Sequence, residues 1–118
     1  MCRREAAKTG KKLEEVSFVA VHMGGGISVA ALEGGRVVDV NDGLLGMGPF
    51  SPDRCGAVPI GGLIKLCYSG KYSEKEMLDK LSRHSGLVAY LGESDLRKVE
   101  EMIEGGDTRA ELYFDAMA

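Results

Sequence analysis

The sequence has no tryptophan, only three prolines and three cysteines, and 6% aromatic residues in 118 positions. Cys2, Cys55 and Cys67 are odd in number and not at ligand spacing, so they imply neither a disulfide framework nor a zinc site. A reducing cytoplasm is the expected compartment. There are two histidines, with no acidic pair near them at metal-ligand spacing, so no protein metal site is expected. No apolar run approaches the roughly 18 residues of a membrane span, and the N-terminus lacks a signal-peptide core. Net charge is −3 with no block of like charges, which gives no electrostatic case for nucleic acid or anionic membrane as a partner. The familiar phosphate motifs are missing as well. Gly24-x-Gly26 is followed by Val29 rather than glycine, and a strand rather than a helix comes next, so it is not a dinucleotide fingerprint. No GxxxxGK[ST] loop occurs. Gly26-Ile27-Ser28-Val29-Ala30 touches the nucleophile-elbow pattern but lacks its strand–turn–helix setting.

Glycine is what the chain has in excess. Its 17 glycines are about twice the ordinary share, and they cluster in loops. Hydrophobic content of 44% and charged content of 28% are ordinary for one modest globular domain. The organising stretch runs from Phe18 to Leu32: two apolar strands joined by Gly24, Gly25 and Gly26. A hairpin needs fewer glycines than this. The surplus is either a turn with a bulge or a place where backbone N–H groups approach phosphate oxygens.

Around this stretch the pattern predicts an α/β chain. Residues 2–12 look helical. Residues 16–22 are a near-continuous apolar run, as in a strand buried on both faces. Strands over 26–33 and 36–40 complete an antiparallel three-stranded meander, with a hairpin turn at Glu33-Gly34-Gly35-Arg36. A long glycine-rich connection over 41–58 is expected to be functional or disordered. Helices follow. Ile60, Leu63, Ile64 and Cys67 share one apolar face, and Gly70 stops that helix. Ser73 to Glu76 is a capping box. Residues 85–92 read as a buried extended or irregular segment. Ser94 is placed to cap a helix running to about Glu104, and Asp107 to cap the last helix, whose inner stripe is Ala110, Tyr113, Phe114 and Met117.

Three groups could carry chemistry. His22 lies at the mouth of the glycine turn and Ser28 just beyond it; a phosphate donor is one role for His22, a structural strand-end histidine the other. Arg54, in the glycine-rich loop, suits bidentate contact with phosphoryl oxygens, or is simply solvated. Asp95 and Arg97 straddle a helix N-terminus, an anion-friendly place, although helix-dipole compensation alone accounts for Asp95.

Taken together, several stretches resemble the acetate/butyrate kinase family, nearest to butyrate kinases and branched-chain carboxylic acid kinases. They are Ala20 to Ala30, Gly35 to Asn41, Gly48-Pro49-Phe50-Ser51-Pro52-Asp53-Arg54, Leu63 to Tyr72, and Ser85 to Gly92 with Asp95-x-Arg97. The resemblance implies part of the actin-like ATPase (ribonuclease H-like) fold. It implies one partial domain over 1–118, matching the first part of the C-terminal half of a carboxylate kinase. It also implies transfer of the ATP γ-phosphoryl to a short-chain carboxylate, giving an acyl phosphate and ADP, with Mg²⁺. His22, Met23, Gly24, Gly25 and Gly26, with Ser28, would form the second phosphate loop. Asp95, Leu96 and Arg97 would contribute to the nucleotide site, and Arg54 would stabilise the transferring phosphoryl. A sugar kinase would share the glycine turn but not the Gly-Pro-Phe-Ser-Pro loop.

Three departures qualify that picture. Met47 and Gly62 stand where butyrate kinases tend to carry acidic residues. Family members are much longer, so the chain on its own is expected to be inactive. An alternative is a non-catalytic nucleotide-binding or assembly module derived from the same fold. The strand over 16–22 would lose a neighbour, and its free apolar edge predicts a homo-oligomer.

Overall fold

The computed structural model describes residues 1–46 and 48–118. Met47 lies outside the described residues, and so does the departure noted there. The chain is α/β: helix α1 (Cys2–Lys8), a 3-10 turn (Leu13–Glu15), strands β1 (Ser17–Met23), β2 (Ile27–Glu33) and β3 (Arg36–Val40), then helices α2 (Ile60–Cys67), α3 (Glu74–Arg83), α4 (Leu87–Leu91), α5 (Leu96–Glu104) and α6 (Thr108–Met117). These elements divide into two compact units.

The first unit comprises Met1–Met23 and Ile27–Asn41. Its sheet is the expected antiparallel meander, in the order β1-β2-β3. Across β1 and β2, Val19 faces Ala31, Val21 faces Val29, His22 faces Ser28 and Met23 faces Ile27. Gly34 and Gly35 both take left-handed φ values, 57° and 79°, the backbone required by a two-residue hairpin turn that follows the sheet twist. Asn41 ties down the start of β2: its Oδ1 accepts from the Val29 N–H at 2.7 Å and its Nδ2 donates to the Ile27 carbonyl at 3.1 Å. One expectation fails here. β1 is not buried on both faces, since Val19 is 72%, Val21 54% and Met23 61% exposed. The strand order puts β1 at an edge, with β2 its only strand neighbour in this sheet.

The second unit comprises Gly24–Gly26 and Asp42–Ala118. Its fully buried side chains include Leu87 of α4 and Val99 of α5, joined by Ala110 and Met117 of α6. The stripe predicted for α6 therefore does face inward. Ser73 caps α3 as expected: its Oγ accepts from the Glu76 N–H, while the Glu76 carboxylate accepts from the Ser73 N–H at 2.8 Å. Asp107 caps α6 through the Arg109 and Ala110 N–H groups. Two expectations change. The cap of α5 is Asp95, one residue beyond Ser94; the Ser94 N–H instead donates to the Glu93 carboxylate at 2.9 Å. Residues 87–91 are helical rather than extended. An all-apolar run of five residues shows no periodicity to distinguish the two. The helix is fixed from outside, because the Leu87 and Val88 N–H groups donate to the carbonyls of Ser51 and Pro52. The apolar face of α2 forms as predicted but none of its residues is buried, with Ile60 73% and Ile64 53% exposed. Among the described residues no helix is long and apolar enough to cross a membrane.

Candidate functional site

Residues 51–54 form the centre of the site. Ser51 and Pro52 are buried, and the loop closes on itself through a bond from the Ser51 N–H to the Arg54 carbonyl at 3.1 Å. On one side the loop holds the start of α4 through the two carbonyls already named, and the Ser85 N–H donates to the Asp53 carbonyl at 3.1 Å. That approach needs Gly86. Its φ is +64°, and a Cβ there would overlap the Ser51 carbonyl oxygen. On the other side the loop holds the glycine turn. The Gly25 carbonyl accepts from Ser51 Oγ at 2.8 Å and from the Asp53 N–H at 3.2 Å.

The glycines are there for space. A Cβ on Gly25 would run into the Asp53 carboxylate, and one on Gly26 into the Arg54 guanidinium and, at 2.8 Å, the Gly43 carbonyl. The turn is thus packed against two side chains of the loop, which a hairpin alone would not require. Within the turn the Gly24 N–H donates to the Gly26 carbonyl at 3.0 Å. The N–H groups of Gly25 and Gly26 make no hydrogen bond to a described residue.

Among the described residues one hydrogen bond holds the Arg54 side chain. Its Nη1 donates to the Gly43 carbonyl at 2.6 Å, using one of five N–H donors. Its Nε faces Asp53 Oδ1 at 3.7 Å, within ion-pair range but too far for a hydrogen bond, and both atoms are buried without a hydrogen-bond partner among the described residues. The two side chains are about one-third exposed, 30% and 31%. This leaves a partly shielded guanidinium, with unused donors, beside unused backbone N–H groups. That combination suits a phosphoryl group. Behind the loop lies a cleft of about 600 Å³ whose lining includes Phe50, Cys55 and Tyr90. Burial pushes the Cys55 thiol up, partly offset by its bond to the backbone, so Cys55 is not poised as a nucleophile.

The structure brings only some of the expected residues together. Gly24, Gly25, Gly26 and Arg54 meet. His22 and Ser28 face each other across β1 and β2, both in the first unit; His22 lies inside the strand, which continues to Met23. Asp95, Leu96 and Arg97 form the start of α5. There Asp95 caps the Arg97 N–H and pairs with the Arg97 guanidinium at 2.7 Å. That guanidinium, and then the Arg97 N–H, hold the Asp95 carboxyl down at about 2. Among the described residues no hydrogen bond or ion pair links residues 95–97 to the glycine turn or to Arg54.

Ser51, Asp53, Gly43 and Gly86 complete the site, and residue-type reasoning had not singled them out. For Ser51 and Asp53 a signal was present in Gly48-Pro49-Phe50-Ser51-Pro52-Asp53-Arg54, a loop too rich in proline and small polar residues for a mere connector. Among the described residues no group of three or more His, Cys, Asp or Glu side chains is placed to hold a metal ion. The donor set fits phosphate oxygens; Asp53, the carboxylate beside the turn, already faces Arg54.

The chain is α/β, with a glycine turn seated against a partly shielded arginine. Its family is specific: residues 1–117 match the acetokinase family, and the chain belongs to it. It is similar to the acetate kinase of Porphyromonas gingivalis, with 27% identity and a TM-score of 0.83 over 98% of this chain. A propionate kinase from Francisella tularensis subsp. tularensis SCHU S4 shares the fold at 24% identity and a TM-score of 0.81 over 98% of the chain. So does the acetate kinase of Entamoeba histolytica, at 24% identity and 0.76 over 96%. In each case the chain spans 30% of the other protein's length. The meander with its following helices is thus part of the actin-like ATPase-type domain of acetate kinases.

Proposed function

We propose that this chain supplies part of the ATP-phosphate site of a short-chain carboxylate kinase of the butyrate kinase type, and corresponds to the first part of that enzyme's C-terminal half. The observation that carries the reading is the seating of Gly26 against the Arg54 guanidinium. In the reaction a carboxylate oxygen bonds to the γ-phosphorus of ATP. The bond to the β–γ bridging oxygen breaks, and its electron pair leaves with ADP. Phosphoryl transfer needs little covalent help and much positioning and positive charge. The amides of Gly25 and Gly26 would hold phosphate oxygens and Arg54 would offset charge on the moving phosphoryl; in the sequence His22 and Ser28 flank the turn. Asp95, Leu96 and Arg97 would border the nucleotide. Mg²⁺ would travel with the nucleotide's phosphates, and its protein ligands are not among the clusters described above.

Such a site works by closing two domains over the nucleotide. The 118-residue chain on its own should therefore bind ATP or ADP and transfer nothing. The test is an assay with ATP, Mg²⁺ and butyrate beside a nucleotide titration. Turnover that depends on Arg54 would refute the claim of inactivity. In an intact enzyme carrying this segment, losing Arg54 should lower the rate by about three to five powers of ten, the effect of removing an arginine finger.

A second reading is a nucleotide-binding or assembly module without catalysis. What favours it is Gly62, at a position where an acidic residue would be expected and where the space is open, on a helix whose apolar face is uncovered. Absence of any ATP or ADP affinity would favour an assembly role.

A further inference from the structure

The Gly25–Gly26 peptide is held by its carbonyl. Ser51 Oγ donates to that oxygen at 2.8 Å, and the Asp53 N–H does so at 3.2 Å. A trans peptide points its C=O and N–H in opposite directions, and the described chain contains no cis bond. Fixing the Gly25 carbonyl toward Ser51 therefore fixes the Gly26 N–H away from it. That N–H makes no hydrogen bond to a described residue. A glycine-rich turn is the backbone most free to flip such a peptide, so the hydroxyl has something to prevent.

Ser51 is well placed for this. The residue is 4% exposed, and its own backbone is anchored by the Leu87 N–H at 3.2 Å and by the turn to Arg54. A buried hydroxyl with one short bond is a rigid donor.

We infer that Ser51 is a positioning residue: its hydroxyl sets the Gly25–Gly26 peptide so that the Gly26 N–H and the Arg54 guanidinium serve one phosphoryl group. The inference rests on the phosphate reading proposed above and adds the residue that orients the donor. Proline at 52 and the buried backbone of Ser51 keep the hydroxyl where it is. To the Gly25 carbonyl Asp53 contributes its backbone N–H, which every substitution but proline retains.

The test uses the 118-residue chain labelled with ¹⁵N and ¹³C, titrated with ATP. Ser51→Cys keeps the size but substitutes a weak thiol donor; Ser51→Ala is the second variant if the sulfur disturbs packing, and Ser51→Thr restores a hydroxyl. In Ser51→Cys the Gly25 carbonyl ¹³C signal should move upfield and the Gly26 amide signal should move with it. ATP affinity should fall about tenfold, the size of one well-made hydrogen bond. Ser51→Thr should restore all three. A purely structural role would lower the unfolding midpoint and leave the Gly26 amide and the ATP affinity in place. If wild type binds ATP and both Ser51→Cys and Ser51→Ala bind it within about twofold, the inference is overturned while the phosphate reading stands. If wild type binds no ATP, both fall.

Discussion

The Gly26 backbone lies so close to the Arg54 guanidinium that a Cβ on Gly26 would occupy its space. At the neighbouring Gly25 the nearest obstacle is the Asp53 carboxylate, the movable end of a side chain. At Gly26 the Gly43 carbonyl oxygen, 2.8 Å from where that Cβ would sit and part of the backbone, blocks escape as well. Gly26→Ala should therefore destabilise the chain by about 1–3 kcal/mol, the ordinary cost of overpacking, and Gly25→Ala by less. It should also release Arg54 from Gly43. Urea unfolding of the two variants side by side decides this, and equal costs would contradict the geometry.

Gly86 and Gly92 flank α4 and both have left-handed backbones, with φ of +64° and +74°. Their surroundings differ: a Cβ on Gly86 meets the Ser51 carbonyl, whereas one on Gly92 meets nothing within 4 Å. Gly92→Ala should cost only the left-handed penalty of about 1–2 kcal/mol. Gly86→Ala should add an overpacking cost of about 1–3 kcal/mol and part the arginine loop from α4. Unfolding midpoints measured at one pH would show the gap, and similar losses at both positions would count against the loop–helix clamp.

The order of elements was legible because each carries a local signal. Apolar runs and glycine turns mark the meander, and Ser73 and Asp107 announce their helices. α4 was not legible, because its helix depends on carbonyls from Ser51 and Pro52, more than 30 residues earlier. The cap of α5 slipped by one residue because Ser94 and Asp95 both suit the position. In the site, Arg54 and the glycines stood out by residue type. Ser51 and Gly43 did not, since their roles exist only once the loop folds against the turn. β1 read as a buried strand because its composition does not say how many neighbours this stretch of chain provides.

Asp95 gives a pH dependence with a definite sign. Its carboxyl sits at about 2 in the folded chain, against about 3.9 when unfolded. The stabilisation from this capped and paired carboxylate is thus complete above about pH 4 and is lost as pH falls toward 2. Asp95→Asn retains a capping oxygen but not the charge. Glu93, also lowered by its bonds to the Asp95 N–H and to Lys98, still titrates in that variant. The fall in the urea midpoint between pH 4 and 2 should accordingly become shallower in Asp95→Asn without vanishing. Curves of equal slope would remove Asp95 from the account.

The free edge of β1 makes the last prediction. Ser17–Met23 contains no Lys, Arg, Asp or Glu, and Val19 and Val21 are more than half exposed. β3, at the other edge, is shorter, carries Arg36 and Asp39, and pairs with β2 through a shifted register. Charge, brevity and irregularity are the features that keep an edge from adding another strand; β3 has all three and β1 has none. Two copies of this chain should therefore associate through β1, with the exposed valines covered in the process. Sedimentation should show a weight-average mass that rises with concentration. Val21→Lys places a charge at the middle of the strand on its exposed face and should return the chain to a monomer without lowering its unfolding midpoint. A wild-type chain that stays monomeric at high concentration would mean the edge is protected in a way that its own sequence does not provide.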